Sequence, residues 1–345
     1  MSSSTGAVDV DVIVVGGGPV GLACAIEARM AGLTVAVVEP PDGVIDKACG
    51  EGLMPGAVPL LERLGVDPAG MPLRGVSYNT PTRRADHLFR TGVGRGVRRT
   101  VLHSALSARA AALGVERVVA RVESLEQDAD GVVAAGIRGS WLFGADGLHS
   151  SVRRLAGLEG TAPRARRRFG ITRHFAMEPW TDLIEIHWAA HAEVYVTPLA
   201  PGLVGVSLLG APRTGFKETI AAIPALASRL AGLESVSGLK GAGPFRQRAT
   251  SPSRGRVLLV GDASGYVDAI TGEGLRLGFD QARLAVERVT YGLDYDTSWR
   301  RVTRDFRVLT NRLVLAATSP ARPAIVPLAR ALPGLYGSVV EKLAR

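Results

Sequence analysis

Cysteine is scarce, since the 345-residue chain contains only Cys24 and Cys49. Cys24 falls on a predicted helix and Cys49 in a predicted loop, so we expect no structural disulfide and a reducing, cytoplasmic location. No apolar run reaches the roughly 18 residues that a membrane span needs. Residues 1–9 also lack the basic start of a signal peptide. The sequence therefore predicts a cytoplasmic protein without a transmembrane segment.

Lysine and aromatic residues are scarce as well. Lysine supplies four of the 41 basic residues, which exceed the 32 acidic ones and give a net charge of +9. Such a charge attracts nucleic acid in some proteins. The densest arginine cluster consists of Arg164, Arg166, Arg167 and Arg168. No aromatic residues are interleaved with it, as a base-stacking surface would require. We therefore expect no nucleic-acid partner and interpret these arginines as solvated surface, with attraction of an anionic substrate or NAD(P)H as the alternative.

The histidines do not form a metal-binding pattern. The six are scattered, and His187 and His191 have helical spacing in a segment that reads as a strand. Metal ligands must converge on one point, which this spacing in a strand does not provide. We predict no metal site.

Glycine, in contrast, is plentiful, and its first cluster has the spacing of a phosphate-binding loop. The β-branched run Val10–Val15 predicts a buried strand, and Gly16, Gly18 and Gly21 follow it as G-x-G-x-x-G. Gly16 permits the tight turn, Gly18 the approach of a pyrophosphate, and Gly21 close packing of the next helix. A second strand ends at Glu39, where a carboxylate can bind a ribose hydroxyl. These features predict a dinucleotide-binding unit.

In a second pattern, Gly261 lies 245 residues after Gly16. The apolar segment 257–260 ends in Gly261 and Asp262. It resembles the segment with which flavoproteins hold the ribityl chain of FAD. Either pattern alone is weak evidence, but together and in this order they favour FAD over NAD.

The remaining segments predict an α/β (α+β overall) fold of interleaved domains. Residues 8–75, 97–155 and 253–291 are expected to form a discontinuous, Rossmann-like FAD-binding domain. Residues 76–96 and 156–252 are expected to form a smaller antiparallel-sheet substrate domain, and residues 292–345 a C-terminal helical region. Within the substrate domain, 169–175, 183–188, 193–197 and 203–209 predict strands and 220–233 predicts one helix. The C-terminal region is expected to pack on the rest of the chain, with a lid as the alternative.

Five ordered motifs resemble FAD-dependent oxidoreductases of the para-hydroxybenzoate-hydroxylase fold, and within them the geranylgeranyl reductase-like branch. The motifs are the glycine loop with Glu39, the segment 47–52 (Lys-Ala-Cys-Gly-Glu-Gly), Arg99–Leu102, Gly144–Gly147 with Ser150, Val152 and Arg153, and Gly261-Asp262 followed by 272–274 (Gly-Glu-Gly). The resemblance implies the fold more firmly than the reaction, because this fold hosts several chemistries.

The resemblance also implies roles for single residues. Glu39 would bind the adenosine ribose, Arg99 the pyrophosphate and Asp262 the ribityl hydroxyls, while the Val122 backbone would meet the adenine. Asp146 would support FAD and transient NAD(P)H, with a purely structural turn as the alternative. The helix that begins at Gly274 and Leu275 would stabilise negative charge on the reduced flavin. The expected cofactor-binding residues are Gly16, Gly18, Val20, Gly21, Glu39, Cys49, Gly50, Gly52, Arg99, Val122, Asp146, Asp262, Gly274 and Leu275.

The loop from Lys47 to Gly52 is the motif most specific to the branch. Gly50 and Gly52 would let the backbone pass close to the flavin, which would bring Cys49 near the isoalloxazine ring. Cys49 and Lys47 are therefore the candidate catalytic residues, with Lys47 lowering the thiol pKa. An inert thiol in a tight loop is an equal alternative. Tyr195 and His187, on the predicted substrate sheet, are the candidate substrate-pocket residues.

The expected reaction type depends on two motifs of related enzymes that this sequence does not keep. Prenyl reductases carry Tyr-x-Trp-x-Phe-Pro, but residues 193–198 keep only the proline, with Tyr195 at the tryptophan position. The Gly-x-Trp-x-Trp-x-Ile-Pro motif of flavin halogenases is missing. We expect a monooxygenase that hydroxylates a small apolar or aromatic compound through a flavin C4a-hydroperoxide, with NADPH or NADH as transient reductant. The alternatives are a reductase of C=C bonds in an isoprenoid or lipid and, more remotely, a non-enzymatic FAD- or nucleic-acid-binding protein. A separate electron donor and a peripheral membrane contact stay open.

Overall fold

The computed structural model describes residues 9–41, 46–161 and 167–345. In chain order its strands are β1 Val10–Val15, β2 Val35–Glu39, β3 Gly52–Leu53, β4 Met71–Leu73, β5 Gly75–Asn79, β6 Arg84–Leu88, β7 Gly94–Gly96, β8 Glu116–Val119, β9 Leu125–Gln127, β10 Val132–Ala134, β11 Ile137–Gly144, β12 Glu159–Gly160, β13 Phe169–Ala176, β14 Leu183–Trp188, β15 Ala192–Ala200, β16 Leu203–Gly210, β17 Lys240–Ala242, β18 Gln247–Ala249, β19 Ser253–Arg254, β20 Val257–Leu259 and β21 Gly265–Tyr266. Its α-helices are α1 Pro19–Met30, α2 Val58–Arg63, α3 Arg99–Ala112, α4 Ser151–Leu155, α5 Phe216–Ala221, α6 Pro224–Leu230, α7 Gly274–Tyr291, α8 Tyr295–Ala317, α9 Ile325–Ala331 and α10 Pro333–Ala344. These elements confirm the predicted mixed α/β fold.

The first layer is a Rossmann-like sheet with strand order β19-β20-β11-β1-β2-β8. Its central pairs, from β20 through β11, β1 and β2 to β8, are all parallel. Parallel strands covered on both faces are largely apolar, which explains why Asp11 alone interrupts the β-branched run of β1. The carboxyl ends of parallel strands meet at one edge of a sheet, where α/β proteins bind their ligands. Gly16, Glu39, Asp146 and Asp262 therefore all follow strands that end at this edge.

The second layer is a seven-stranded sheet with strand order β17-β13-β16-β15-β14-β5-β6. It is antiparallel except for the pair β5 and β14, which agrees with the predicted antiparallel substrate sheet. One face presents Val194, Val196 and Val206 to α5 and α6. The other face presents Ile184 and Ile186 to the C-terminal helices α9 and α10. The expected domain boundaries stay a prediction, and Val8 lies outside the described residues.

The prediction of one helix over 220–233 is wrong. The structure has two short helices, α5 and α6, with a break at Ile223 and Pro224. Pro224 has no N–H to donate, and its ring forces the preceding residue out of the helical region. Ile223 accordingly has φ −111° and ψ 98°, so a new helix starts at the proline.

The C-terminal helices pack on the substrate sheet. The Tyr336 hydroxyl of α10 donates to the Val76 carbonyl of β5 over 3.1 Å, and its ring lies 4.8 Å from that of Tyr78. Among the described residues, no single helix has the length and apolar composition of a membrane span. The segments Arg322–Ala331 and Pro333–Ala344, which meet at an angle of 106°, reach that length and composition only when taken together.

Candidate active site

The glycine loop after β1 combines two sterically required glycines with one that faces open space. Gly16 has φ +106°, and a β-carbon there would lie 2.6 Å from the Ala145 carbonyl oxygen. A β-carbon at Gly21 would lie 1.8 Å from the Gly16 oxygen, so α1 packs directly on the turn. At Gly18 a β-carbon would meet no described atom within 4 Å. Gly16 and Gly21 thus shape the turn, and Gly18 leaves room for a ligand.

Glu39 ends β2 beside this loop, but its carboxylate already has a partner. It is buried and forms an ion pair with Arg117 of β8. A β-carbon at Gly17, the second glycine of the run, would lie 1.7 Å from Glu39 Oε2, so a side chain there would displace the Glu39 carboxylate. Sequence reasoning missed Gly17, although the run Gly16-Gly17-Gly18 was visible. Any ribose hydroxyl that binds Glu39 must share the carboxylate with Arg117.

The first turns of α3 place two side chains at the glycine loop. Arg99 is the first residue of α3, and its buried Nε has no hydrogen-bond partner among the described residues. His103, one turn later, is bonded through Nε2 to the Gly17 carbonyl over 2.9 Å. Burial lowers the pKa of His103, so the neutral ring donates from Nε2. His103 was not predicted; its spacing of four residues from Arg99 was the available signal.

Asp262 lies at the end of β20 near the charges of Arg99 and Lys47. Burial raises the pKa of Asp262, and the Arg99 and Lys47 charges partly offset that rise. A β-carbon at Gly274, the first residue of α7, would lie 3.8 Å from Asp262 Oδ1. Leu275 packs against the core of the parallel sheet. The structure therefore brings Arg99, Asp262 and the start of α7 together, and their contacts with FAD stay a prediction.

The thiol of Cys49 is protonated in this environment. Its Sγ accepts a hydrogen bond from the Glu51 amide over 3.4 Å. Burial raises the pKa of Cys49; the Arg99 charge opposes the rise and the Glu51 charge adds to it. The predicted effect of Lys47 on this thiol is wrong, because the cation that acts on Cys49 is Arg99, while exposed Lys47 acts on Asp262. The geometry favours an inert thiol over a reactive thiolate.

Hydroxyl groups of the substrate sheet hold the backbone of this loop. Thr172 and Ser207 donate to the Cys49 carbonyl over 3.2 and 3.0 Å. Thr197 donates to the Gly50 carbonyl over 2.9 Å. Gly50 faces open space, whereas a β-carbon at Gly52 would lie 3.0 Å from the Ile184 side chain. The substrate sheet thus fixes the backbone of this loop, and at Gly50 that backbone is accessible to a ligand.

Glu51 fixes the same loop through its buried carboxylate and was not predicted as a site residue. Its backbone has φ +57°, a left-handed conformation that is unusual for a non-glycine residue. Oε1 accepts from Arg98 Nη1 over 2.7 Å and from the Arg99 amide over 2.8 Å. Oε2 pairs with His174 Nε2 over 2.6 Å, and His174 Nδ1 with Ser237 over 2.7 Å. Such strain persists only where the surroundings over-determine the residue, as these contacts do.

Asp146 is engaged within its own turn. Its Oδ1 accepts from the Ser150 hydroxyl and its Oδ2 from the Val152 amide over 3.0 Å. Ser150 in turn caps α4 by accepting from the Arg153 amide. These bonds agree with the structural alternative for Asp146. Any cofactor contact there must compete with bonds already made.

Val20 and Val122 are two further residues that were expected to bind the cofactor, and both are packed against neighbouring segments. The Val20 side chain packs against Gly261 and Gly278, where a β-carbon would come within 3.0 and 2.4 Å of it. Val122 is partly buried in the loop after β8. The Ala120 amide of that loop donates to the Glu39 carbonyl over 2.9 Å, which places the loop beside the end of β2.

The two predicted pocket residues lie on opposite faces of the substrate sheet. Tyr195 is paired with Ile186 in register, whereas His187 is paired with Val194. The Tyr195 hydroxyl donates to the Ile270 carbonyl over 3.0 Å, in the loop that follows Asp262. His187 instead contacts Glu185 over 3.1 Å. The prediction of a shared pocket is therefore wrong for His187, because neighbouring residues of a strand alternate between faces.

A buried ionic network lies beneath Tyr195. Glu193 forms ion pairs with Arg168 and with Arg322 of the C-terminal region. Arg168 also contacts Asp268 over 3.4 Å. Sequence reasoning assigned Arg168 to solvated surface, but it is 5% exposed; Arg167 is exposed, and Arg164 and Arg166 lie outside the described residues. The network connects the C-terminal region to the loop beside Asp262.

Two buried carboxyls in this loop make stability depend on pH. Burial raises the pKa of Asp268 to about 6 and that of Glu273 to about 7. Between their ordinary values and these values the folded protein binds more protons than the unfolded chain, so the free energy of unfolding falls as the pH rises. We expect Glu273→Gln, measured without FAD, to gain stability relative to the wild type from pH 5 to pH 8. Denaturant unfolding of both proteins at pH 5 and pH 8 tests this. The same difference in free energy of unfolding at the two pH values would contradict it.

The residues at the sheet edge fit FAD. The unpartnered Nε of Arg99 suits an anionic pyrophosphate, and the open sides of Gly18 and Gly50 leave room for a cofactor. Among the described residues no group of three or more His, Cys, Asp or Glu side chains could hold a metal ion.

A family model described as an FAD binding domain matches residues 9–288. The chain belongs to this FAD-binding family. It is an FAD-dependent oxidoreductase, which confirms the predicted cofactor and enzyme class. The resemblance to oxidoreductases of this fold is confirmed with it.

Relatives of this oxidoreductase differ in how much of their length it spans. It is 31% identical to menaquinone reductase of Mycolicibacterium smegmatis, over 90% of this chain and 85% of that protein. It is 30% identical to the 12-dehydrotetracycline 5-monooxygenase/anhydrotetracycline 6-monooxygenase of Streptomyces rimosus, over 79% of this chain but only 61% of that protein. A geranylgeranyl bacteriochlorophyll reductase-like protein from Thermoplasma acidophilum has the same fold, with a TM-score of 0.75, 18% identity and coverage of 97% and 98% of the two chains.

Proposed function

We propose that this oxidoreductase is a monooxygenase that hydroxylates a small apolar or aromatic compound, with NADPH or NADH as reductant. The observation that carries the proposal is the aromatic face of the substrate sheet next to the Asp262 loop. Tyr195 binds the Ile270 carbonyl there, and Trp188 packs with Tyr195 in one apolar cluster that includes Ile270. Tyr78 lies 5.4 Å from the Trp188 ring, edge to face. An apolar, aromatic wall suits a planar apolar substrate.

Polar atoms at this wall are free to orient such a substrate. Trp188 Nε1 and Thr271 Oγ1 are buried without a hydrogen-bond partner among the described residues. Buried polar groups are almost always bonded, so these two are candidates to bind a polar atom of the substrate. A phenol or ketone oxygen would accept from the Trp188 N–H. The relative from Streptomyces rimosus, which is named as a monooxygenase of 12-dehydrotetracycline and anhydrotetracycline, supports this choice of substrate class.

The residues of this chain bind, orient and exclude water. FAD, when bound, supplies the electron transfer and the activation of oxygen. Asp262 would accept from the ribityl hydroxyls, Arg99 would pair with the pyrophosphate, and the α7 N-terminus would stabilise negative charge at the flavin edge. Tyr195 would fix the Ile270 segment against the substrate. Since the Cys49 thiol is protonated, we assign it no step in the reaction.

A reductase of C=C bonds is the second candidate. Menaquinone reductase matches this chain over most of both lengths, whereas the chain spans less than two thirds of the tetracycline monooxygenase. The sequence argues against a reductase, because only Pro198 of the aromatic motif of prenyl reductases is kept and a tyrosine stands at the tryptophan position. We further propose a cytoplasmic location, in keeping with two free cysteines. A separate electron donor and a peripheral membrane contact belong to the proposal.

The reaction with oxygen distinguishes the two candidates. Anaerobically reduced protein is mixed rapidly with oxygen, with and without phenols or polyketides, while the flavin spectrum is followed. We expect a transient species, distinct from reduced and oxidised flavin, whose decay changes with a bound aromatic ligand. Slow, direct return to oxidised flavin under every condition would contradict a monooxygenase and favour the reductase. Tyr195→Phe, which keeps the ring but loses the bond to Ile270, should weaken the effect of the ligand.

A further inference from the structure

The turn between α9 and α10 is an exposed apolar tip. Residues 331–335 (Ala-Leu-Pro-Gly-Leu) are all exposed and uncharged. Leu332 and Leu335 are 48% and 61% exposed, and Leu328 of α9 is 54% exposed. Single exposed leucines are ordinary, but three within eight residues concentrate exposed apolar surface at one bend of the chain. We call Leu328 and residues 331–335 the apolar tip.

The chain segment that carries the apolar tip has charge of one sign. The segment 306–340 contains four arginines and no aspartate or glutamate. Arg322 forms an ion pair with Glu193, and Arg307 is half-buried over the Trp299 ring. Arg312 and Arg330 are exposed and form no ion pair with any described residue. Arg330 lies within the tip sequence itself, between Leu328 and Leu332.

We propose that the apolar tip is a docking surface for an anionic lipid bilayer. Membrane-surface segments combine leucines that enter the acyl boundary with arginines that meet anionic headgroups. A second copy of this chain suits the surface less well, because a twofold contact through the tip would oppose two Arg330 side chains. The bent pair of helices agrees with a surface contact: each half is too short to cross a bilayer, and the 106° angle prevents a straight span.

The position of the tip connects it to the substrate sheet. Tyr336, the next residue after the tip, packs on Tyr78 and bonds to β5, and Val340 lies in the same apolar cluster as Ile184 and Ile186. A bilayer at the tip would therefore lie next to the helices that cover the substrate face. The docking surface itself rests on exposure and charge and does not depend on the proposed reaction.

The test is co-sedimentation of the FAD-loaded protein with vesicles. We expect binding to vesicles of equal parts phosphatidylglycerol and phosphatidylcholine, weaker binding to pure phosphatidylcholine, and partial release by salt. The double variant Leu332→Ser with Leu335→Ser should bind at least about tenfold less to the anionic vesicles. Arg330→Gln should bind about fivefold less to them and no differently to neutral ones.

The matched control is Tyr291→Ser with Leu293→Ser. These residues are 73% and 48% exposed at the far end of α7. Control and test variants should keep the wild-type FAD content, so a change in vesicle binding cannot come from unfolding. The proposal is overturned if the wild type does not bind anionic vesicles at low salt, or if the control loses as much binding as the test variant. It is also overturned if the leucine substitutions dissociate a dimer instead, which would identify a second copy as the partner. None of these outcomes depends on turnover, so they leave the oxygen experiment unaffected.

Discussion

Asp262→Ala is expected to yield a folded protein that does not retain FAD. Asp262 is the carboxylate that follows β20 at the ligand-binding edge of the parallel sheet, close to the N-terminus of α7. A hydrogen bond to a charged group contributes about 1.5–3 kcal/mol. Each lost hydrogen bond between Asp262 and a ribityl hydroxyl should therefore weaken FAD binding about ten- to a hundredfold. Asp262→Asn, which keeps the shape and loses the charge, should fall between the wild type and the alanine variant.

The same substitution, Asp262→Ala, should not lower the thermal stability of the FAD-free protein. Burial raises the pKa of Asp262, which means that the ionised carboxylate is disfavoured in the folded chain without its ligand. Removing it should leave the melting temperature of the FAD-free protein unchanged or higher. The measurement is the flavin-to-protein absorbance ratio after purification, together with thermal unfolding. Asp130→Ala, an exposed position, is the control. A yellow Asp262→Ala protein with stoichiometric FAD would refute the assigned role.

The positions of several candidate residues in the fold follow from local sequence and from the rule that parallel strands end at one edge. Gly16 stands directly after β1, Gly21 lies in the first turn of the helix that follows, and Asp262 lies three residues after the end of β20. Their convergence follows from parallel pairing without any knowledge of side-chain packing. The break at Pro224 was also readable, since a proline rarely lies inside a helix. The apolar pattern of 220–233 was given more weight than this signal.

The residues that were missed depend on contacts between segments far apart in sequence. Glu51 is bonded to Arg98, 47 residues away, and to His174, 123 residues away. No local pattern marks a carboxylate that will be buried between two sheets. The misplacement of His187 has a simpler cause: a strand pattern gives two faces but not which face meets the cofactor domain. The same limit applies to Lys47, whose charge lowers the pKa of Asp262, a residue far away in sequence.

Glu193→Gln is expected to be the most destabilising of the single substitutions considered. Glu193 is 1% exposed and is the shared partner of Arg168 and Arg322. Removing one member of a buried ionic network leaves uncompensated charge and costs about 3–5 kcal/mol. Because Arg322 belongs to the C-terminal region, unfolding should be accompanied by earlier release of that region to limited proteolysis. Glu287→Gln, in the surface pair with Arg283, is the control and should change the free energy of unfolding by less than about 1 kcal/mol.

Glu193→Gln should also change the pH dependence of stability, which a simple loss of packing would not do. The Glu193 charge helps to raise the pKa of Asp268, whereas the Arg168 charge lowers it. Without Glu193, Arg168 acts on Asp268 alone, so that pKa should fall towards its ordinary range. A lower folded-state pKa brings proton binding in the folded and unfolded states closer together, and the loss of stability between pH 5 and pH 7 should shrink. Denaturant unfolding across this range therefore separates an electrostatic role of Glu193 from a purely steric one: a lower but equally pH-dependent stability would leave only the steric role.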